Sequence, residues 1–79
     1  MIKSNIIYQV IVKKKDENNI WVRCFSDIFP TQKYAIDSAY KMVTEVFVFG
    51  SRQAEVEMIW FNGKGIINRK IVYHLIKSE

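Results

Sequence analysis

The chain has 79 residues, 49% of them hydrophobic and 25% charged, which suffices for one apolar core and is too short for two domains. An aromatic content of 14% argues against disorder, and 12 lysines and arginines against 8 acids give a net charge of +4 that favours anionic partners. Cys24 is the single cysteine, so an internal disulfide and a multi-thiolate zinc site are excluded and a reducing, cytoplasmic setting is expected. No signal-peptide pattern and no apolar run of about 18 residues occurs, so no membrane partner is expected.

Residues 6 to 13 are β-branched and alternate (Ile6, Ile7, Tyr8, Val10, Ile11, Val12), which predicts a strand. Asp16-Glu17-Asn18-Asn19 supplies turn chemistry, and Ile20 to Phe25 forms the second strand of an antiparallel hairpin. Pro30 disfavours helical geometry at Phe29, and Thr31 can cap a helix beginning beside it. Ala35, Ile36, Ala39, Tyr40, Val43, Val46 and Phe47 recur at helical spacing, with Lys33, Asp37, Lys41, Thr44 and Glu45 opposite, and Gly50 ends the helix. Gln53 to Phe61 alternates again, Asn62-Gly63 signals a hairpin turn, and Ile66 to Ile76 is the partner strand. Residues 1–79 thus read as a single α+β domain, a four-stranded antiparallel sheet (ββαββ) with one helix packed on one face. Met1 to Ser4 and Lys77 to Glu79 are expected to fray.

Strand alternation sorts side chains between the two faces. Tyr8, Val10 and Val12, then Ile20, Val22 and Cys24, then Ala54, Val56, Met58 and Trp60 are expected beneath the helix. A two- or four-residue turn at Asn62-Gly63 adds Ile67, Ile71, Tyr73 and Leu75 to that face, with Arg69 awkwardly among them. The opposite face is expected to carry Ile7, Gln9, Ile11, Trp21, Arg23, Phe25, Glu55, Glu57, Ile59, Phe61, Lys70, Val72 and His74. No remaining element can cover it, and an open face with three aromatic rings invites docking.

The candidate chemistry is thin. Cys24 and His74, with Asp27 as an orienting acid, are the nucleophile and base of a cysteine hydrolase only if they meet, and alternation points them to opposite faces. A buried structural thiol is the better reading of Cys24. His74 lacks ligand-type neighbours at metal-site spacing, so no metal is expected. Asn62-Gly63-Lys64-Gly65 lacks the Gly-Lys-Ser/Thr ending of a phosphate loop and precedes a strand. Glu55 and Glu57 share a strand face without a cleft to perturb them. The expectation is a chain with no catalytic residues and no cofactor.

Binding is what remains. Trp21, Arg23, Phe25 and Phe61 combine aromatic and arginine anchors of the kind that centre protein interfaces. Lys13, Lys14, Lys15 and Lys70, with Arg52, Lys64 and Arg69, could track phosphates beside those rings, as sheet-based single-stranded RNA or DNA binders do, although Glu55 and Glu57 repel phosphate there. Stacking of two copies through their open faces is a third option, giving a homodimer.

Trp21 in a strand, Thr31-x-x-x-Ala35-Ile36-x-x-Ala39 opening a helix, and a strand leading into the Asn62-Gly63 hairpin resemble small bacterial and phage domains of the same strand order, over residues 20 to 70 or so. The length, topology and lysine, asparagine and isoleucine bias are also similar to phage anti-defence proteins, anti-CRISPR proteins included. That resemblance implies a non-enzymatic inhibitor that docks on a larger protein or nucleoprotein complex, and it brings no catalytic residues. The basic charge departs from the acidic character of many such proteins.

Overall fold

A computed structural model describes residues 6–78. The strands β1 (Ile6–Lys15), β2 (Trp21–Phe29), β3 (Arg52–Phe61) and β4 (Ile67–Lys77) form one antiparallel sheet in the order β2-β1-β3-β4, and helix α1 (Gln32–Lys41) lies between β2 and β3 in sequence. Because β1 and β3 are antiparallel, β2 and β3 run the same way with β1 between them. The connection carrying α1 therefore crosses over β1 and sets the helix on one face. Lys77 belongs to β4 rather than to a frayed end, and the expectation for Met1 to Ser4 and Glu79 lies outside the described residues.

Thr31 caps α1 as expected: its Oγ1 accepts from the Tyr34 N–H at 3.4 Å. The helix does not continue regularly to Gly50. Residues Met42–Val46 form a π-helical turn closed by the Phe47 N–H donating to the Met42 carbonyl at 2.7 Å. One extra residue in the turn rotates the positions after it, so Phe47 packs against the core while Val46 is exposed. Tyr40, expected inside, is exposed as well.

The core is small and made of short side chains: Val10 and Val12 from β1, Ala54 and Val56 from β3, and Ala35, Ala39 and Val43 from the helical segment. Alanines on the helix let its backbone approach the sheet closely, and the valines suit a pleated surface. Arg52 is buried at the start of β3, where its Nε donates to the Val43 carbonyl and its Nη1 to the Gly50 carbonyl, both at 2.8 Å. Its bond to the Val43 carbonyl satisfies a backbone acceptor in the last turn of the helical segment.

Both hairpins turn through five residues, 16–20 and 62–66, built alike. The first residue closes the loop (Asp16 N–H to the Ile20 carbonyl, 2.9 Å; Asn62 N–H to the Ile66 carbonyl, 3.1 Å), and its side-chain Oδ1 accepts from two further N–H groups. The fourth residue takes positive φ: Asn19 at 66° and Gly65 at 79°. Asn62-Gly63 is therefore the opening of a five-residue loop, not a two- or four-residue turn.

Each edge strand also contains a one-residue bulge. On β2 the register jumps from Val12↔Phe25 to Lys13↔Arg23, leaving Cys24 over; on β4 it jumps from Val56↔Tyr73 to Glu57↔Ile71, leaving Val72 over. Each bulge reverses the side-chain parity of its strand. Phe25, expected on the open face, instead packs on the core beneath the helix with Phe29, and Val72 does likewise. The five-residue loop 62–66 sets Ile67, Arg69 and Ile71 on the open face, opposite Phe61, Ile59 and Glu57, and Lys70 on the helix side, opposite Met58, and the bulge at Val72 returns Tyr73 and Leu75 to the core face. Arg69, misplaced by simple alternation, pairs on the open face with Glu57 at 2.9 Å.

A candidate docking site at the basic end of the sheet

In-register pairing decides which candidate residues meet, because facing residues of an antiparallel pair share a side of the sheet. On the open face, Lys13 faces Arg23 and Lys15 faces Trp21. The Lys15 ammonium lies 5.3 Å from the Trp21 ring centroid, a cation–π contact that fixes the relation of the two. The next residue of β3 across from Lys13 is Gln53, which accepts from His74 Nε2 at 2.7 Å. An amide oxygen only accepts, so Nε2 carries the proton.

These four side chains, Lys13, Lys15, Trp21 and Arg23, make one contiguous patch. Lys13 and Lys15, two residues apart in a strand, stand about 6.6 Å from each other, and Arg23 lies one strand spacing from Lys13, about 4.8 Å. Among the described residues the ion pair present is Glu57–Arg69, so these cations carry no carboxylate partner. The nearby Asp16 is occupied in its own loop, where Oδ1 accepts from the Asn18 and Ile20 N–H groups at 2.8 and 3.0 Å.

The other candidates do not join the patch. Lys14 is at the same end but on the helix side, facing Val22 and Arg52, with its ammonium 6.0 Å from the Phe47 ring centroid. Phe61 lies one step beyond Trp60, which faces Ile6. Trp21 faces Lys15, so Phe61 is ten strand steps away, about 33 Å. Phe25 is a core residue and Lys70 is on the helix side. The row of stacking rings expected from the sequence is thus reduced to Trp21 alone. Arg52, counted among the phosphate-tracking cations, is committed to the backbone carbonyls of Val43 and Gly50.

Cys24 is not a buried thiol. The residue is exposed at the β2 bulge, but its Sγ is turned in to a part-buried contact in which it donates to the Val12 carbonyl at 3.5 Å; this partial desolvation raises the thiol above its ordinary pKa, partly offset by Lys14. His74 is on the opposite edge strand, three strand spacings away, about 14 Å, so the two cannot act as nucleophile and base. Asp27, the third member of that set, is used locally: its Oδ1 accepts from the Ile28 N–H at 2.8 Å. Glu55 and Glu57 do lie on the open face, Glu57 neutralised by Arg69 and Glu55 between Ile11 and His74 in register. Among the described residues no group of three or more His, Cys, Asp and Glu is placed to hold a metal ion.

Sequence reasoning missed the edge bulges, the helix-capping role of Arg52 and the pairing of Arg69 with Glu57. The last had a signal: a strand arginine that alternation placed in the core called for a shift of register somewhere along β4. No protein-family model matches this chain, and no curated protein and no solved structure does.

Proposed function

We propose that the chain is a non-enzymatic binding module that docks on an anionic surface of a larger protein or nucleoprotein complex through Lys13, Lys15, Trp21 and Arg23. The observation that carries this reading is their convergence on the open sheet face with no carboxylate among the described residues paired to the cations. A desolvated tryptophan flanked by arginine is the composition of an interface centre, and lysines at the rim steer an acidic partner into place. Such a module acts by occupying a surface, as an inhibitor of the phage anti-defence kind does. Capture from a host lysate tests it. The wild type should retain a partner that the Trp21→Ser, Arg23→Glu variant loses while its circular dichroism is unchanged, and equal capture by both contradicts the reading.

A second reading, binding of single-stranded RNA or DNA, draws on the spacing of Lys13 and Lys15, close to that of successive phosphates. Anisotropy of a labelled oligonucleotide decides it: binding at low salt that falls steeply with added salt supports it, and no binding at low salt removes it. Self-association into a homodimer is checked by sedimentation, where a monomer at micromolar concentration removes it.

A further inference from the structure

Between the helical segment and β3 the chain passes through Val46, Phe47, Val48 and Phe49, of which Phe47 alone turns in against the core. Val46 is 57% exposed, Val48 36% and Phe49 75%, the highest value of any large apolar side chain among the described residues. Connections ordinarily carry polar residues at such positions. This one is also held in place: the π-helical turn closes at Phe47, Arg52 bonds to the carbonyls on either side of the segment, and Gly50 takes φ +76° to turn the chain into β3. The side chains at its tip therefore stay out rather than collapsing onto the sheet.

Cations flank the tip. Lys14 reaches over the Phe47 ring, Arg52 faces Lys14 on one side and Lys77 on the other, and Lys41 occupies the last turn of α1. Glu45 is the acid within the segment. Lys14, Arg52 and Lys77 lie on the helix side, at the same end of the sheet as the Lys13 and Trp21 patch but on the opposite face.

A projecting apolar tip bordered by cations is complementary to an anionic bilayer surface: lysines meet the headgroups while an aromatic side chain enters the boundary with the acyl chains. A protein partner would need a preformed concave pocket of matching shape, whereas a lipid interface yields to a tip. We propose that the Val46–Phe49 tip seats the protein on an anionic lipid bilayer, with Lys14, Lys41 and Lys77 against the headgroups. Among the described residues no helix is long and apolar enough to cross a membrane, and contact at the interface requires none.

Co-sedimentation of the full chain with phosphatidylcholine vesicles containing phosphatidylglycerol, compared with pure phosphatidylcholine vesicles at low salt, tests the proposal. Binding is expected to the anionic vesicles only. It should weaken about fivefold with Lys14→Gln or Lys77→Gln, and about tenfold or more with Phe49→Ser, whose circular dichroism should match the wild type. Absence of binding to anionic vesicles overturns the proposal and leaves the tip to a protein pocket. Equal binding by Phe49→Ser also overturns it, reducing the contact to adsorption by net charge.

Discussion

Neighbouring residues of one strand have opposite fates here. Trp21 and Phe25 are both aromatic residues of β2, yet the bulge at Cys24 leaves Trp21 on the open face and turns Phe25 onto the core. Phe25→Ala should cost about 2 to 3 kcal/mol, at the low end for a phenylalanine because the site is only half-buried, whereas Trp21→Ser should cost under about 1 kcal/mol. Urea denaturation separates the two, and equal losses would place both rings in one environment. Two acids of the β-sheet add a pH dependence. Burial raises the Cys24 thiol, partly offset by Lys14, and burial with Tyr40 nearby raises the Tyr73 phenol. In each case the folded state holds its proton more tightly than the unfolded chain, so the stability gained is complete below the ordinary values and is lost as pH rises above them, from about 8.5 upward for the thiol and from about 10 upward for the phenol. Midpoints of urea denaturation should therefore fall across that window, and Cys24 should alkylate more slowly at neutral pH than a free thiol.

Elements were legible in the sequence to different degrees, for physical reasons. The strands and their succession along the chain followed from alternation and β-branching, and the helix start from Pro30 and Thr31, because those signals are local; the order β2-β1-β3-β4 within the sheet did not. The bulges were not legible: a bulge has no composition of its own, and one extra residue reverses every side chain beyond it. That is why Phe25 and Val72 were expected on the open face; Lys70, Ile67 and Ile71 were misplaced because the loop before β4 has five residues, an odd number, where a two- or four-residue turn was expected. The five-residue loops did leave a mark, since Asp16 and Asn62 open them and Asn19 and Gly65 suit positive φ. The helix end was obscured because Val46 and Phe47 continue an apolar spacing that the π-helical turn breaks. The edge of β2 is guarded locally as well. Asp27 holds the Ile28 N–H, a donor that would otherwise face an approaching strand, and the Cys24 bulge interrupts the rest. Asp27→Ala should raise self-association, seen as a larger sedimentation coefficient at high concentration; an unchanged coefficient would mean the bulge alone suffices.

At the scale of the whole molecule, the chain is a slab. Its Cα extents are 48 × 23 × 15 Å and its radius of gyration is 14.2 Å, against about 12 Å for a compact domain of this length. One short helix over one face of long strands leaves the opposite face without a covering element, although Ile59 on it is buried, and the ends of that face differ. Ile7, Ile59, Phe61 and Ile67 gather toward one end, and Lys13, Lys15, Arg23 and Trp21 toward the other. The sequence alone indicated an open, aromatic face; cross-strand register was needed to divide it and to show that four of the eight candidate residues form a single patch. The proposed function requires these cations to act together, and not merely as a share of the net charge of +4. Salt elution from immobilised heparin, a general polyanion, measures this with charge held equal. A variant carrying Lys13→Gln, Lys15→Gln and Arg23→Gln should elute at clearly lower salt than one carrying Lys33→Gln, Lys64→Gln and Lys70→Gln, whereas elution of both at the same salt would contradict the proposal.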